Sequence, residues 1–177
     1  MKGRNIFITI ITVGMIVVTT AGFHSDRQSR IMITKADEPG EPLVVSGVVL
    51  TDMGSPIQGA VVKVHHADAG GVYNENRLLP ARLKGSMVTD SLGRFEFRTI
   101  RPGSYPGTRA LAHIHCRVSA SGFRDRSLEI VFKDDPNLTA ENRESAEREN
   151  YMLLRPVELS ADRVWQTTAA ITLRRDE

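Results

Sequence analysis

Four side chains in this sequence have the types and spacing to converge on a metal ion: Tyr73, Tyr105, His113 and His115. His113-Ile114-His115 carries the clearest signal. In a strand successive side chains alternate, so both imidazoles face one side while Ile114 packs on the other. That pair offers two nitrogen donors suited to Zn, Cu, Fe or Ni. An incidental surface pair has the same spacing. Tyr73 follows the Gly-rich stretch Asp68-Ala69-Gly70-Gly71-Val72, which lets the backbone approach a neighbour closely, and Tyr105 sits in a turn between Ser104 and Pro106. A phenolate is a hard, anionic oxygen donor, and free tyrosine titrates only near pH ~10. A strongly Lewis-acidic cation makes the phenolate accessible at neutral pH, and Fe(3+) is the natural choice. Without one, both tyrosines read as amphipathic rim residues with ordinary hydrogen bonds.

The elements that must position these side chains read as strands. Residues 44–50 form a β-branched run closed by the turn Thr51-Asp52-Met53-Gly54-Ser55-Pro56. Residues 60–66 follow, with His65 and His66 on opposite faces, unable to chelate together and read as structural or surface residues. Thr89-Asp90-Ser91-Leu92-Gly93 turns into the strictly alternating Arg94-Phe95-Glu96-Phe97-Arg98. Further strands are expected over 112–118, 128–132 and 169–173. Short strands punctuated by Gly, Pro and Asp predict an all-β fold, an antiparallel β-sandwich or barrel. One short helix over 139–150 interrupts the C-terminal part, its mixed charges a solvated face. Cys116 faces away from the two histidines and belongs to the core.

The chain has 177 residues, enough for one domain with a real core. Its 23 basic and 21 acidic residues are interspersed, so no basic stripe indicates a nucleic-acid partner. Lys2 and Arg4 precede an apolar run from Ile6 to Val18 and the small residues Thr19 to Gly22. That is the order of a secretory signal peptide over residues 1–22, with an uncleaved membrane anchor as the alternative. The run is shorter than the roughly 20 residues that span a bilayer, which favours cleavage and an exported product. A polar, flexible linker over 23–41 would then lead into a domain over 42–177. Membrane contact, if any, comes through the N-terminal segment alone. With Cys116 the single cysteine, packing or a metal must hold the fold rather than a disulfide.

Several stretches resemble the intradiol ring-cleavage dioxygenases, typified by protocatechuate 3,4-dioxygenase and catechol 1,2-dioxygenase. They are Gly59-Ala60-Val61-Val62-Lys63-Val64, Ala67-Asp68 through Tyr73, Thr89 through Phe97, Thr99 through Pro106, and Ala112-His113-Ile114-His115, with Phe132 through Pro136 and Ile171 through Arg174 closing the match. The resemblance covers about residues 42–174. It implies a single Fe(3+) held by Tyr73 and His115 in equatorial positions and by Tyr105 and His113 in axial ones. It also implies a small aromatic diol and O2 as substrates, cleaved to a cis,cis-muconate-type diacid, with Tyr105 leaving the metal to act as a base.

The sequence departs from the family in two ways. Members commonly carry an arginine three residues before the first histidine, where this chain has Ala110, and Arg109 lies one residue further back. Arg109 is therefore the candidate for that catalytic role, provided a bulge restores its direction. The chain is also short, so walls that select substrate in larger members are expected to be missing. Arg77, Arg82 and Lys84 read either as contacts for a substrate carboxylate or as solvated loop charges. Residues 47–64 and 89–105 resemble, in addition, transthyretin-like and carboxypeptidase-regulatory-like sandwiches. An exported, non-catalytic binding module is the second function class, and a copper or zinc protein using the same site the third.

Overall fold

Alternation decides which face of each strand is buried, and the residues follow it closely. The computed structural model describes residues 28–149 and 152–176. The strands are β1 (Arg30–Met32), β2 (Pro42–Thr51), β3 (Val61–His66), β4 (Leu83–Val88), β5 (Arg94–Ile100), β6 (His113–Ser119) and β7 (Arg126–Phe132). After helix α1 (Ala140–Glu149) come β8 (Met152–Arg155), β9 (Glu158–Leu159) and β10 (Trp165–Leu173). They form two sheets, ordered β1-β5-β2-β10-β9 and β4-β3-β6-β7-β8. The architecture is the expected all-β sandwich with a short helix in a C-terminal connection. Three pairings, β1–β5, β2–β10 and β7–β8, are parallel, and the other pairs are antiparallel.

The inward residues of both sheets fill one core. Val45, Phe95, Phe97, Ala169 and Ile171 face Val62, Val64, Ile114, Cys116, Ile130 and Phe132, all essentially inaccessible. Cys116 is part of this core, and burial pushes its thiol up to about 12. Truncating a side chain such as Phe97 to Ala would cost about 3–5 kcal/mol by opening a cavity between the sheets.

Thr89 shows how a turn is fixed inside the sandwich. Its hydroxyl donates to the Ile57 carbonyl at 2.6 Å and accepts from the Ala60 amide at 2.9 Å. Asp90 caps the turn that follows, its Oδ1 accepting from the Leu92 and Arg94 amides. Thr139 caps α1, its hydroxyl accepting from the Asn142 amide while Asn142 Oδ1 accepts in return from the Thr139 amide.

The described part of the segment expected as a flexible linker, residues 28–41, is instead tied to the sandwich. β1 adds to the edge of β5, the Ile33 amide donates to the Arg98 carbonyl, and Glu38 receives a two-pronged contact from Arg82. Three residues without alternation carry no strand signal, so the pairing comes from the waiting edge of β5. The signal-peptide segment lies outside the described residues. Among the described residues no helix is long and apolar enough to cross a membrane.

Candidate metal centre

The exposed face of the second sheet is an ordered grid. β3, β6 and β7 lie side by side with His65, His115 and Glu129 in register, and the next same-face row is Lys63, Arg117 and Ser127. His113 precedes His115 on that face, and Ile114 between them points into the core.

Loops bring the tyrosines to this grid. The turn after β3 is capped by Asp68, whose Oδ1 accepts from the Gly70 and Val72 amides. Gly71 takes a φ of +79°, and a Cβ there would lie 1.9 Å from the Ser104 carbonyl oxygen. Gly103 meets the same turn from the other side, where a Cβ would lie 2.3 Å from the Ala69 carbonyl oxygen, and its amide donates to the Asp68 carbonyl. Only glycines permit this backbone-on-backbone packing. It clamps the segment bearing Tyr73 to the one bearing Tyr105.

The result is a closed ring of four donor atoms. Tyr73 Oη lies 2.6 Å from Tyr105 Oη, Tyr105 Oη 3.1 Å from His113 Nε2, His113 Nε2 3.1 Å from His115 Nε2, and His115 Nε2 2.8 Å from Tyr73 Oη. Two donors bonded to one ion at about 2.0–2.1 Å sit roughly 2.9 Å apart at a right angle and roughly 3.4 Å apart at the tetrahedral angle. The four spacings fit a single ion with near-right-angle geometry. Tyr105 and His113, expected as the axial pair, nevertheless stand side by side at 3.1 Å, where opposite donors would be about 4 Å apart. Arg109 does not join this group. Its side chain is exposed, and no hydrogen bond or ion pair links it to the four donors.

Protonation states suit metal binding. His113 Nδ1 lies 2.7 Å from the Leu111 carbonyl oxygen, which can only accept, so Nδ1 carries the hydrogen and Nε2 presents its lone pair to the ring. Burial, with the neighbouring His113 and His65, pulls His115 down to about 4, so it is a neutral ligand at physiological pH. Tyr73 is pushed well above the usual phenol range by burial, by its hydrogen bond to Tyr105 and by the charge of Glu129. A phenol held that firmly in its neutral form yields its proton only to a strong Lewis acid.

Three supporting residues went unnoticed in the sequence or were read otherwise. His65, expected as structural or surface, stacks on His115 at 4.5 Å between ring centroids and buttresses its plane. Asp135 accepts from the Ala112 and Asn137 amides and so pins the entry to β6 beside His113. Glu129 places a carboxylate oxygen 3.5 Å from His115 Nδ1 and 3.9 Å from His113 Nε2. His113, His115 and Glu129 form a cluster whose ligand atoms lie within 4.8 Å of one another. Alternation along β7 hints at Glu129, but the register that sets it beside His115 is a tertiary fact. His66 is unrelated to the site. Buried on the other face, it donates from Nδ1 to the Ala67 carbonyl and accepts at Nε2 from Thr99.

Comparison with known proteins agrees with this fold. A family model described as Dioxygenase matches residues 18–173. The chain is 30% identical over 152 residues to a chlorocatechol 1,2-dioxygenase of Rhodococcus opacus, covering 75% of this chain and 59% of that protein. It is 37% identical over 118 residues to the protocatechuate 3,4-dioxygenase beta chain of Burkholderia cepacia, covering 59% and 50% respectively. Among solved structures, the dioxygenase domain of a dioxygenase–carbohydrate-binding fusion from Streptomyces sp. SirexAA-E superposes with a TM-score of 0.66 at 28% identity, over 89% of this chain and 97% of that one. Catechol 1,2-dioxygenase from Pseudomonas arvilla C-1 gives a TM-score of 0.70 at 22% identity, over 85% and 57%, a likeness of fold. The chain belongs to the intradiol dioxygenase family. It spans only part of the two enzymes compared by sequence, 59% of the one and 50% of the other.

Proposed function

We propose that the chain is a non-haem Fe(3+) intradiol dioxygenase acting on a catechol-type diol, with Tyr73, Tyr105, His113 and His115 as the metal ligands. The observation that carries the reading is the closed ring of two phenol oxygens and two imidazole nitrogens, with sides of 2.6, 3.1, 3.1 and 2.8 Å. A non-catalytic transthyretin-like sandwich has no use for two tyrosines and two histidines aimed at one point. When bound, the ferric ion draws charge from a chelated catechol and so makes its ring reactive toward O2. The bond between the two hydroxyl-bearing carbons would break, each of those carbons would gain one oxygen atom of O2, and the product would be a cis,cis-muconate-type diacid.

The protein's own groups supply binding and proton transfer. His113 and His115, fixed on one strand, hold the metal end of the site. The family resemblance makes Tyr105 the ligand that would leave the metal and accept a diol proton at its Oη, while Tyr73 would stay. Arg109 remains a candidate for a charge-stabilising role that requires its loop to move inward. The charged start and apolar run at the N-terminus support export of the domain, which fractionation and N-terminal sequencing of the mature protein test.

Oxygen uptake with a panel of catechols, together with iron analysis of the purified protein, tests the activity. Uptake of one O2 per catechol, at one iron per chain, is expected. A protein holding stoichiometric iron but consuming no oxygen with any catechol contradicts the reading.

A further inference from the structure

The donor ring is open on one flank, and that flank is acidic at close range and basic further out. Glu129 is the carboxylate at the ring itself, 3.9 Å from His113 Nε2, with its side chain 25% exposed. An ion bonded to that nitrogen at about 2.0–2.1 Å lies within about 6 Å of the carboxylate. The groove that runs away from His115 is lined by His65, Glu129, Lys63, Arg117 and Ser127 and encloses about 460 Å³. Its cations stand in the next row, about 6.7 Å further along the strands. Arg117 there is already paired with Asp125 at 2.8 Å. Lys84, in register beside His65 on β4, is the remaining cation on this part of the face.

We propose that Glu129 is a specificity-determining residue, whose charge beside the metal centre makes the site favour neutral or cationic catechols over catechols bearing a carboxylate. This rests on the reading of the site as a catechol-binding iron centre. With Tyr105 protonated and released, Tyr73 and a chelated catecholate dianion together would match the three positive charges of a ferric ion, which leaves the charge of Glu129 unbalanced beside the site. A further anion on the ligand then meets Glu129 at the ring, with Lys63 and Lys84 standing further out on the face. A ligand carboxylate brought to within roughly 6–10 Å of Glu129 in a half-buried setting penalises binding by roughly tenfold to a hundredfold. Lys63 and Lys84 are more distant and better solvated, and salt screens their effect.

The test is anaerobic titration of the iron-loaded protein with catechol, 3,4-dihydroxybenzoate and an aminoethyl-substituted catechol, following the visible band at low salt. The wild-type protein is expected to bind the carboxylate-bearing ligand at least tenfold more weakly than catechol, and the amine-bearing one as well or better. Glu129→Gln at equal iron content is expected to shift the carboxylate-to-catechol ratio by tenfold or more toward the carboxylate. Lys63→Gln is expected to shift it less than threefold. A ratio unchanged within twofold in Glu129→Gln overturns the proposal, as does a larger shift in Lys63→Gln. Failure of Glu129→Gln to take up iron also overturns it, because Glu129 would then be a ligand. Oxygen uptake separates the two claims. Turnover with an unchanged ratio sinks this inference alone, whereas a shifted ratio without turnover sinks only the dioxygenase reading.

Discussion

The two halves of the proposed metal centre are built differently. His113 and His115 stand on one strand, with Ile114 locked into the core between them and strands on both sides. Tyr73 and Tyr105 stand on loops, and their mutual position depends on Gly71 and Gly103 packing against carbonyl oxygens. The strand half is rigid because the sandwich is rigid. The loop half is positioned by close backbone contact and keeps the freedom to release one ligand. A centre that must bind an ion tightly and still exchange a ligand for substrate has a use for both.

The largest effect is expected from breaking the strand half. His115→Ala should reduce bound iron to below about a tenth of the wild-type stoichiometry, since a first ligand and its neutral lone pair are lost. Elemental analysis of the purified protein checks it, and a variant with full iron would remove His115 from the ligand set. Next comes the clamp. Gly71→Val places a branched side chain where a Cβ already lies 1.9 Å from the Ser104 carbonyl oxygen, at a φ of +79°. A loss of about 2–4 kcal/mol in urea unfolding, together with weakened iron binding, is expected. Stability unchanged to within about 0.5 kcal/mol would show that the loops are not held as described.

Tyr105→Phe and Tyr73→Phe sharpen the comparison within the loop half. Tyr105→Phe should keep most of the iron and lower turnover by about 10²–10⁴-fold, the range for loss of a positioned proton acceptor. Tyr73→Phe should lose iron instead. Equal behaviour of the two variants would erase the distinction between a leaving and a staying ligand.

The smallest effect is a pH dependence of the metal-free protein. Burial lowers the pKa values of His66 and His115, the latter to about 4, from an unfolded value near 6.5. Below that unfolded value the unfolded chain binds more protons than the folded one, so this contribution is present above pH ~6.5 and fades as the pH falls toward 4. Urea midpoints measured from pH 7 to 4.5 should decline, and His66→Gln should flatten the slope. A midpoint that rises on acidification contradicts the assignment.

Much of this was legible in the sequence because strand alternation is local. Arg94 through Arg98 and His113 through Val118 show their buried and exposed faces residue by residue, and the two faces hold in the folded protein. The tyrosines were findable as residue types near glycines, but their convergence needs the contact of Gly71 with Ser104, which joins positions far apart in the chain. β1 and the parallel pairings were hidden for the same reason, since an edge recruits its partner without a local signature. Glu129 and His65 gain their meaning only from register, which places them on either side of His115. Arg109 shows the converse case. A residue one position from the family's pattern lies in the loop before β6 and stays exposed.

The central claim is that two tyrosine oxygens and two histidine nitrogens hold one ferric ion, and the visible spectrum of the iron-loaded protein tests it most directly. A burgundy protein with a broad charge-transfer band is predicted, lost in Tyr73→Phe and altered in Tyr105→Phe. A colourless protein at one iron per chain, or a band indifferent to both substitutions, would contradict it.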